Sequence, residues 1–230
     1  MRTFSLLMTA FLLTSGLYAQ QGLKIGLRFS PIFASASITD QDGNDIVENI
    51  STKVGISYGL MANYGITDNY GFHSGIHIVQ KGFKRTEDVV LPDNGGTLSN
   101  AVQDVRLTTV EIPLALKGRS PEIGRGFFIN GLFGGSIDIT AGYRNQYSVY
   151  NPVTKQAVAE SGTTKNSKLA NPVALSFIFG LGGEYEMNIG TLNAGFFYHR
   201  GLTNVNNRSQ FGNEESIRVN YLSLDLGYYF

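Results

Sequence analysis

His73, His77 and His199, with a scatter of hydroxyls and carboxylates, are the side chains of this chain suited to proton transfer or nucleophilic attack. A serine beside a histidine, oriented by an acidic group, is what nucleophilic catalysis needs. Ser74, Ser176 and Glu184 are the candidates for such a set. Ser74, however, has the opposite strand parity from His73 and His77, so histidines satisfied by polar neighbours are the simpler reading and no catalytic residue is assigned. Cysteine is absent, which excludes disulfides, thiol catalysis, zinc–thiolate sites and iron–sulfur clusters. Asp40, Asp42, Asp45 and Glu48 concentrate carboxylates near one another, but the spacing is not that of an EF-hand loop. A solvated acidic loop is expected there, and neither a metal nor a cofactor is assigned.

The remaining charges make sense only once the elements are placed. The chain has 230 residues with 18 basic and 18 acidic side chains, a balance that excludes a strongly basic nucleic-acid binder. Glycine stands at 28, where average usage would give about 16. Arg2, an apolar stretch from Phe4 to Leu13, and small residues up to Ala19 read as an export signal spanning 1–19, with 20–230 as the mature domain. That stretch is too short to cross a bilayer as a helix, which takes ~20 residues.

From Leu23 onward the pattern has period two. Leu23, Ile25, Leu27 and Phe29 alternate with Lys24, Gly26, Arg28 and Ser30, and seven further runs behave alike, the last ending at Phe230. The fifth run, around 126–140, is ambiguous where Phe127, Phe128 and Ile129 follow one another. Short links (66–69, 118–125, 187–190) alternate with long ones (38–52, 82–103, 143–171, 203–216). Short turns at one end and long loops at the other are the signature of an eight-stranded antiparallel transmembrane up-and-down β-barrel, all-β, with both termini in the periplasm. A soluble up-and-down barrel would carry the same alternation with its apolar face inside. The volumes favour the membrane: the non-apolar face is mostly Gly, Ala, Ser and Asn, which suits a narrow lumen, while the bulky face suits lipid. Tyr64, Tyr70, Tyr185, Tyr198, Tyr228 and Phe230 at strand ends fit an interfacial girdle. Pro113, which lacks a ladder donor, predicts a bulge or bend in the closed wall.

Inward parity then gathers Lys24, Arg28, Glu111, Asp138, Glu184, Glu186 and Asp225 into an ionic network in the lumen, with Arg28 and Asp225 at similar depth. Buried charges need partners, and a lumen so filled leaves no diffusion pore. Arg106, Arg200 and Arg218 have outward parity at the rim, where they could meet lipid phosphates.

The segment Val110-Glu-Ile-Pro-Leu-Ala-Leu-Lys117 resembles the "EIPL-x-LK" strand of the PorT-like outer-membrane β-barrel family. Ile129-Asn-Gly-Leu-Phe-Gly-Gly135, Phe179-Gly-Leu-Gly-Gly-Glu-Tyr185 and Tyr198-His-Arg-Gly-Leu-Thr-Asn204 are similar to generic strands of that family. The last strand, with Tyr228 and Phe230, resembles the C-terminal signal read by the barrel assembly machinery. The resemblance implies an integral bacterial outer-membrane protein whose partners are outer-membrane lipid, that machinery during insertion, and a secretion-system or other outer-membrane protein. A non-enzymatic anchor or interaction protein, with 82–103 and 143–171 as working surfaces, is the leading expectation. A purely structural barrel and a lipid-modifying enzyme are the alternatives.

Overall fold

The alternating runs form ten antiparallel strands in the computed structural model, which describes residues 22–40, 42, 44–46, 49–91, 97–151, 154, 157–166, 169–206 and 215–230. They are β1 (Leu23–Thr39), β2 (Asp45–Ile46), β3 (Ile50–Gly65), β4 (Tyr70–Leu91), β5 (Thr97–Arg119), β6 (Phe127–Tyr150), β7 (Ala157–Lys165), β8 (Val173–Met187), β9 (Gly190–Gly201) and β10 (Ser216–Tyr229). Eight of them pair in the order β1-β3-β4-β5-β6-β8-β9-β10, and β10 returns to β1 from Gly26↔Tyr229 to Thr39↔Ser216. The sheet therefore closes on itself, as the alternating links predict, with β2 and β7 as side additions on β1 and β6. The expected export signal lies outside the described residues.

The Gly26↔Tyr229 end of the closing ladder lies beside the short turns. Phe230 N donates to Ile25 O at 2.9 Å, next to the 66–69 turn, where Thr67 Oγ1 accepts from Asn69 N and Tyr70 N. The 187–190 turn uses Gly190 at φ 150°, a conformation that only glycine adopts readily. At the opposite end two long links differ from expectation. Most of 82–103 is not loop, because β4 and β5 stay paired from Gly82↔Arg106 up to Leu91↔Thr97. The 143–171 stretch likewise holds the top of β6 and all of β7.

The reason is a change of solvent along the strands. In β1 the side chains of Ile25, Leu27, Phe29 and Phe33 stand exposed outside, while Gly26, Arg28 and Ser30 are buried inside. Around Phe33 the same two faces swap polarity: from Ile32 upward Ile32, Ala34, Ala36 and Ile38 fill the interior, and past Phe33 Ser37 is outside. Val79 and Phe83 of β4, Val105 and Leu107 of β5, and Val219 of β10 join this upper core. Paired positions place the swap side by side, with Phe33 opposite both Leu222 and Val54. Lipid outside the lower wall and water outside the upper wall account for it. A run read for outward apolar residues ends where the lipid ends, although the strand continues.

The prolines open the ladder without bending it out of register. Around Pro113 the β4–β5 pairing skips from Ser74↔Leu114 to His77↔Glu111 at constant register, so the expected bulge is not there. Pro31 does the same toward β10, between Phe29↔Leu226 and Ile32↔Ser223. Each proline withholds its missing donor from one neighbour only, and the other neighbour stays paired. The bulge in the β5–β6 ladder sits higher, between Thr108 and Thr109, where Ala141 is the unpaired residue of β6. It reverses β6 parity, so that Ile137 and Ile139 face outward below it while Tyr143 packs into the upper core above it.

Candidate functional site

The lumen is where the chain concentrates its buried charge. Arg28 of β1 donates from Nη2 to Asp225 Oδ1 of β10 at 2.9 Å and from Nε to Ser30 Oγ at 2.9 Å, and its Nη1 lies 2.7 Å from His77 Nδ1 of β4. Glu111 of β5 is fully buried. Tyr221 donates its hydroxyl to one carboxylate oxygen, with His199 Nδ1 3.6 Å from that oxygen and His77 Nδ1 3.7 Å from the other. The His199 and Tyr221 rings stack at 4.1 Å. Asp138 of β6 accepts from Lys81 at 2.6 Å, from Ser136 at 3.2 Å and from Ser176 at 3.0 Å. Two basic side chains, Arg28 and Lys81, thus face three carboxylates, Asp225, Glu111 and Asp138, in this layer.

Toward the short-turn end a second layer follows. Glu184 of β8 accepts from Lys117 and lies 3.5 Å from Arg119 Nε. Glu186 pairs with Arg119 and Lys24, each at 2.8 Å. Lys24 and Glu186 stand at the open mouth, 45% and 36% exposed, so their pair contributes at most about 1 kcal/mol. The mouth opens on a vestibule of 610 Å³ walled in part by Lys24, Asn63, Lys117, Arg119 and Glu184. Between the layers is a cavity of only 10 Å³, lined by Arg28, His73, Asp225 and Tyr229 among others, and the apolar core caps the far side. A void of about 10–15 Å³ holds one water molecule, so the lumen is a plug.

Several members of this network had a parity signal that was passed over. Lys81 follows His73 and His77 in steps of four on the inward face of β4, beyond the point where the apolar run stops. Tyr221 and Tyr229 share the parity of Asp225, and Lys117 shares that of Glu111. Arg119 continues the same face.

Among the described residues, the candidate serines and histidines do not assemble into a nucleophile pair. Ser74 lies on the outward face of β4, while His73 pairs with Asn63 at 2.8 Å and His77 with Arg28 inside. Ser176 is bonded to Asp138. Gly55-Ile-Ser57-Tyr-Gly59 has the Gly-x-Ser-x-Gly spacing of a nucleophile elbow. It is straight strand inside β3, with Ser57 fully buried, and an elbow requires a sharp strand-to-helix turn. In the acidic loop, Asp40 accepts from Asn44 N at 2.8 Å, and no cluster able to hold a metal exists among the described residues.

On the outside, Tyr64, Tyr70, Tyr185 and Phe230 are exposed at the short-turn edge, and Tyr228 packs edge-on against Phe230 at 5.5 Å. Tyr198 meets Phe179 at 5.5 Å nearer the other edge. Arg106, Arg200 and Arg218 are all exposed and outward, but they do not converge. Arg200 is opposite Phe177, Arg218 opposite Ser37, and Arg106 stands on β5, across the wall from both. Above the apolar band Lys53 pairs with Asp104, and burial holds its ammonium below the ordinary lysine value against that pull.

A closed ring, an apolar outer band and a filled polar lumen define an integral membrane β-barrel of the outer-membrane type. No family model matches the chain, and no curated protein matches it in sequence. Among solved structures it is similar to Neisserial surface protein A, with 14% identity over 91% of this chain and 100% of that one and a TM-score of 0.43. It is also similar to the attachment invasion locus protein Ail of Yersinia pestis, with 14% identity, 92% and 100% coverage and a TM-score of 0.38. The outer membrane protease OmpT from Escherichia coli gives 8% identity, 92% and 97% coverage and a TM-score of 0.37. The barrel itself is read from its own ladders and not from these likenesses.

Proposed function

We propose that the chain is a non-enzymatic anchor or interaction protein of the bacterial outer membrane. In this reading 1–19 directs export, the short turns and both termini face the periplasm, and the β4–β5 and β6–β7 hairpins face outward as working surfaces. The observation that carries it is the plugged lumen: a barrel blocked by an ion-paired layer and an apolar core offers no through-path for solutes among the described residues. What remains for function is the outer wall and the hairpins. Tyr228 and Phe230 serve the barrel assembly machinery during insertion. The resemblance of Val110–Lys117 to the PorT-like strand supports a role beside a protein secretion system.

The test is quantitative mass spectrometry of culture supernatants from a deletion strain, its parent and a complemented strain. Selective loss of secreted proteins, restored on complementation, is the expected result. An unchanged set of secreted proteins would overturn the secretion role and leave a structural, membrane-stabilising barrel.

A further inference from the structure

We propose that the outer face of β5, β6 and β7 holds a phosphate group of an outer-leaflet lipid headgroup, bound by Arg106, Arg144 and Lys165. The ladder puts these three side by side: Arg106 is directly opposite Arg144, and Arg144 is directly opposite Lys165. Adjacent strands are about 4.8 Å apart, so three cations share one face within roughly 10 Å. Like charges directly opposite one another destabilise a sheet. Nearby cations have carboxylate partners, Lys53 and Lys84 on Asp104 and Arg85 on Glu87 and Glu215. Arg106, Arg144 and Lys165 make no ion pair among the described residues, and all three are exposed. An anion supplied from outside is the partner this row lacks.

The row also frames a recess. Directly below it Thr108 is opposite Gly142, and a Cβ at Gly142 would meet nothing nearer than Thr108 Cβ at 3.6 Å and its Oγ1 at 3.8 Å. The position under Arg144 is therefore open, with a hydroxyl at its side and two guanidinium groups above. Guanidinium forks match phosphate oxygens in pairs. Depth selects the source of the anion. Val110, at the top of the apolar band, lies four residues below Arg106 on the same face. At about 3.3 Å per residue and a tilt near 40° this is roughly 10 Å, within an arginine's reach of the headgroup layer. A soluble polyanion would have no reason to sit at the edge of the lipid band. The inference rests on the outward reading of the long hairpins only for the choice of leaflet.

The purified full chain in zwitterionic detergent micelles would be titrated with bisphosphorylated lipid A, with its dephosphorylated form, with inorganic phosphate and with heparin, using native mass spectrometry. Binding of the phosphorylated lipid, at least about tenfold tighter than the dephosphorylated form, is expected, equivalent to ~1.4 kcal/mol. Arg106→Gln with Arg144→Gln should erase that preference, and Gly142→Val should weaken it by filling the recess with every charge in place. Circular dichroism checks that each variant is folded; if the double variant is not, Arg144→Gln alone carries the comparison. Lipid A binding unchanged in the folded variants overturns the site. Equal or tighter binding of inorganic phosphate or heparin overturns the lipid source. Labelling of Lys165→Cys on intact cells by an impermeant maleimide reads the orientation separately, since micelle binding does not depend on it.

Discussion

Asp138→Ala will destabilise the barrel by about 3–5 kcal/mol, the cost of leaving a buried charge without its partner. Lys81 is the charge left behind: its ammonium is 3% exposed and donates to Asp138 at 2.6 Å. Ser136 and Ser176 lose their acceptor in the same step. Removing both ions tells a different story. In Lys81→Met with Asp138→Leu no charge remains to be desolvated, and the double variant should regain most of the loss. Urea titration in short-chain lipid vesicles measures both, followed by far-ultraviolet circular dichroism because the chain has no tryptophan. A single variant within about 1 kcal/mol of the native protein would mean that Lys81 reaches water or another anion, and that the plug is looser than described.

Arginine placed on one outer face of β1 will be costly low on the strand and nearly free high on it. Phe29 is 51% exposed and Ser37 is also exposed, so burial alone predicts similar tolerance at both. Phe29 lies within the apolar band, where Arg costs about 2–4 kcal/mol at the midplane of a membrane barrel, against ~0–1 near the interface. Ser37 lies above the polarity swap. Phe29→Arg should therefore lower stability in lipid vesicles by the larger amount and Ser37→Arg by the smaller. Similar small effects at both positions would indicate water around the whole barrel.

Much of this was legible in the sequence because lipid enforces strict alternation. Where Leu27 and Phe29 must face hydrocarbon and Arg28 must not, parity is fixed by two environments at once, and the eight-stranded closure follows. Legibility failed where the environment changed. Phe83 continues β4 in water, where the apolar face turns inward, so 82–103 reads as loop, while Lys81, Val105 and Leu107 fall between that link and the outward apolar runs. At Ala141 one extra residue reverses parity, and alternation carries no sign of which residue will be left out. Arg144 was hidden by that bulge, and Lys165 by a strand that belongs to no membrane span. The pairing of Arg28 with Asp225 needs only parity and depth, whereas the place of His77 between Arg28 and Glu111 needs the register of β3, β4 and β5. Pro113 misled for a simple reason: a missing donor interrupts one ladder but need not insert a residue.

The most direct test of the account is cysteine accessibility along β1 in native membranes, in a chain that contains no cysteine of its own. Single cysteines at Leu27, Phe29, Ser30, Phe33, Ala34, Ser35, Ala36 and Ser37 would be exposed to a bulky aqueous maleimide. The account predicts reaction at Ser35 and Ser37 alone, with Leu27, Phe29 and Phe33 shielded by lipid and Ser30, Ala34 and Ala36 by the plugged lumen. Reaction at Ser30, Ala34 and Ala36 would contradict the plug, and reaction at Leu27 and Phe29 would contradict the membrane band.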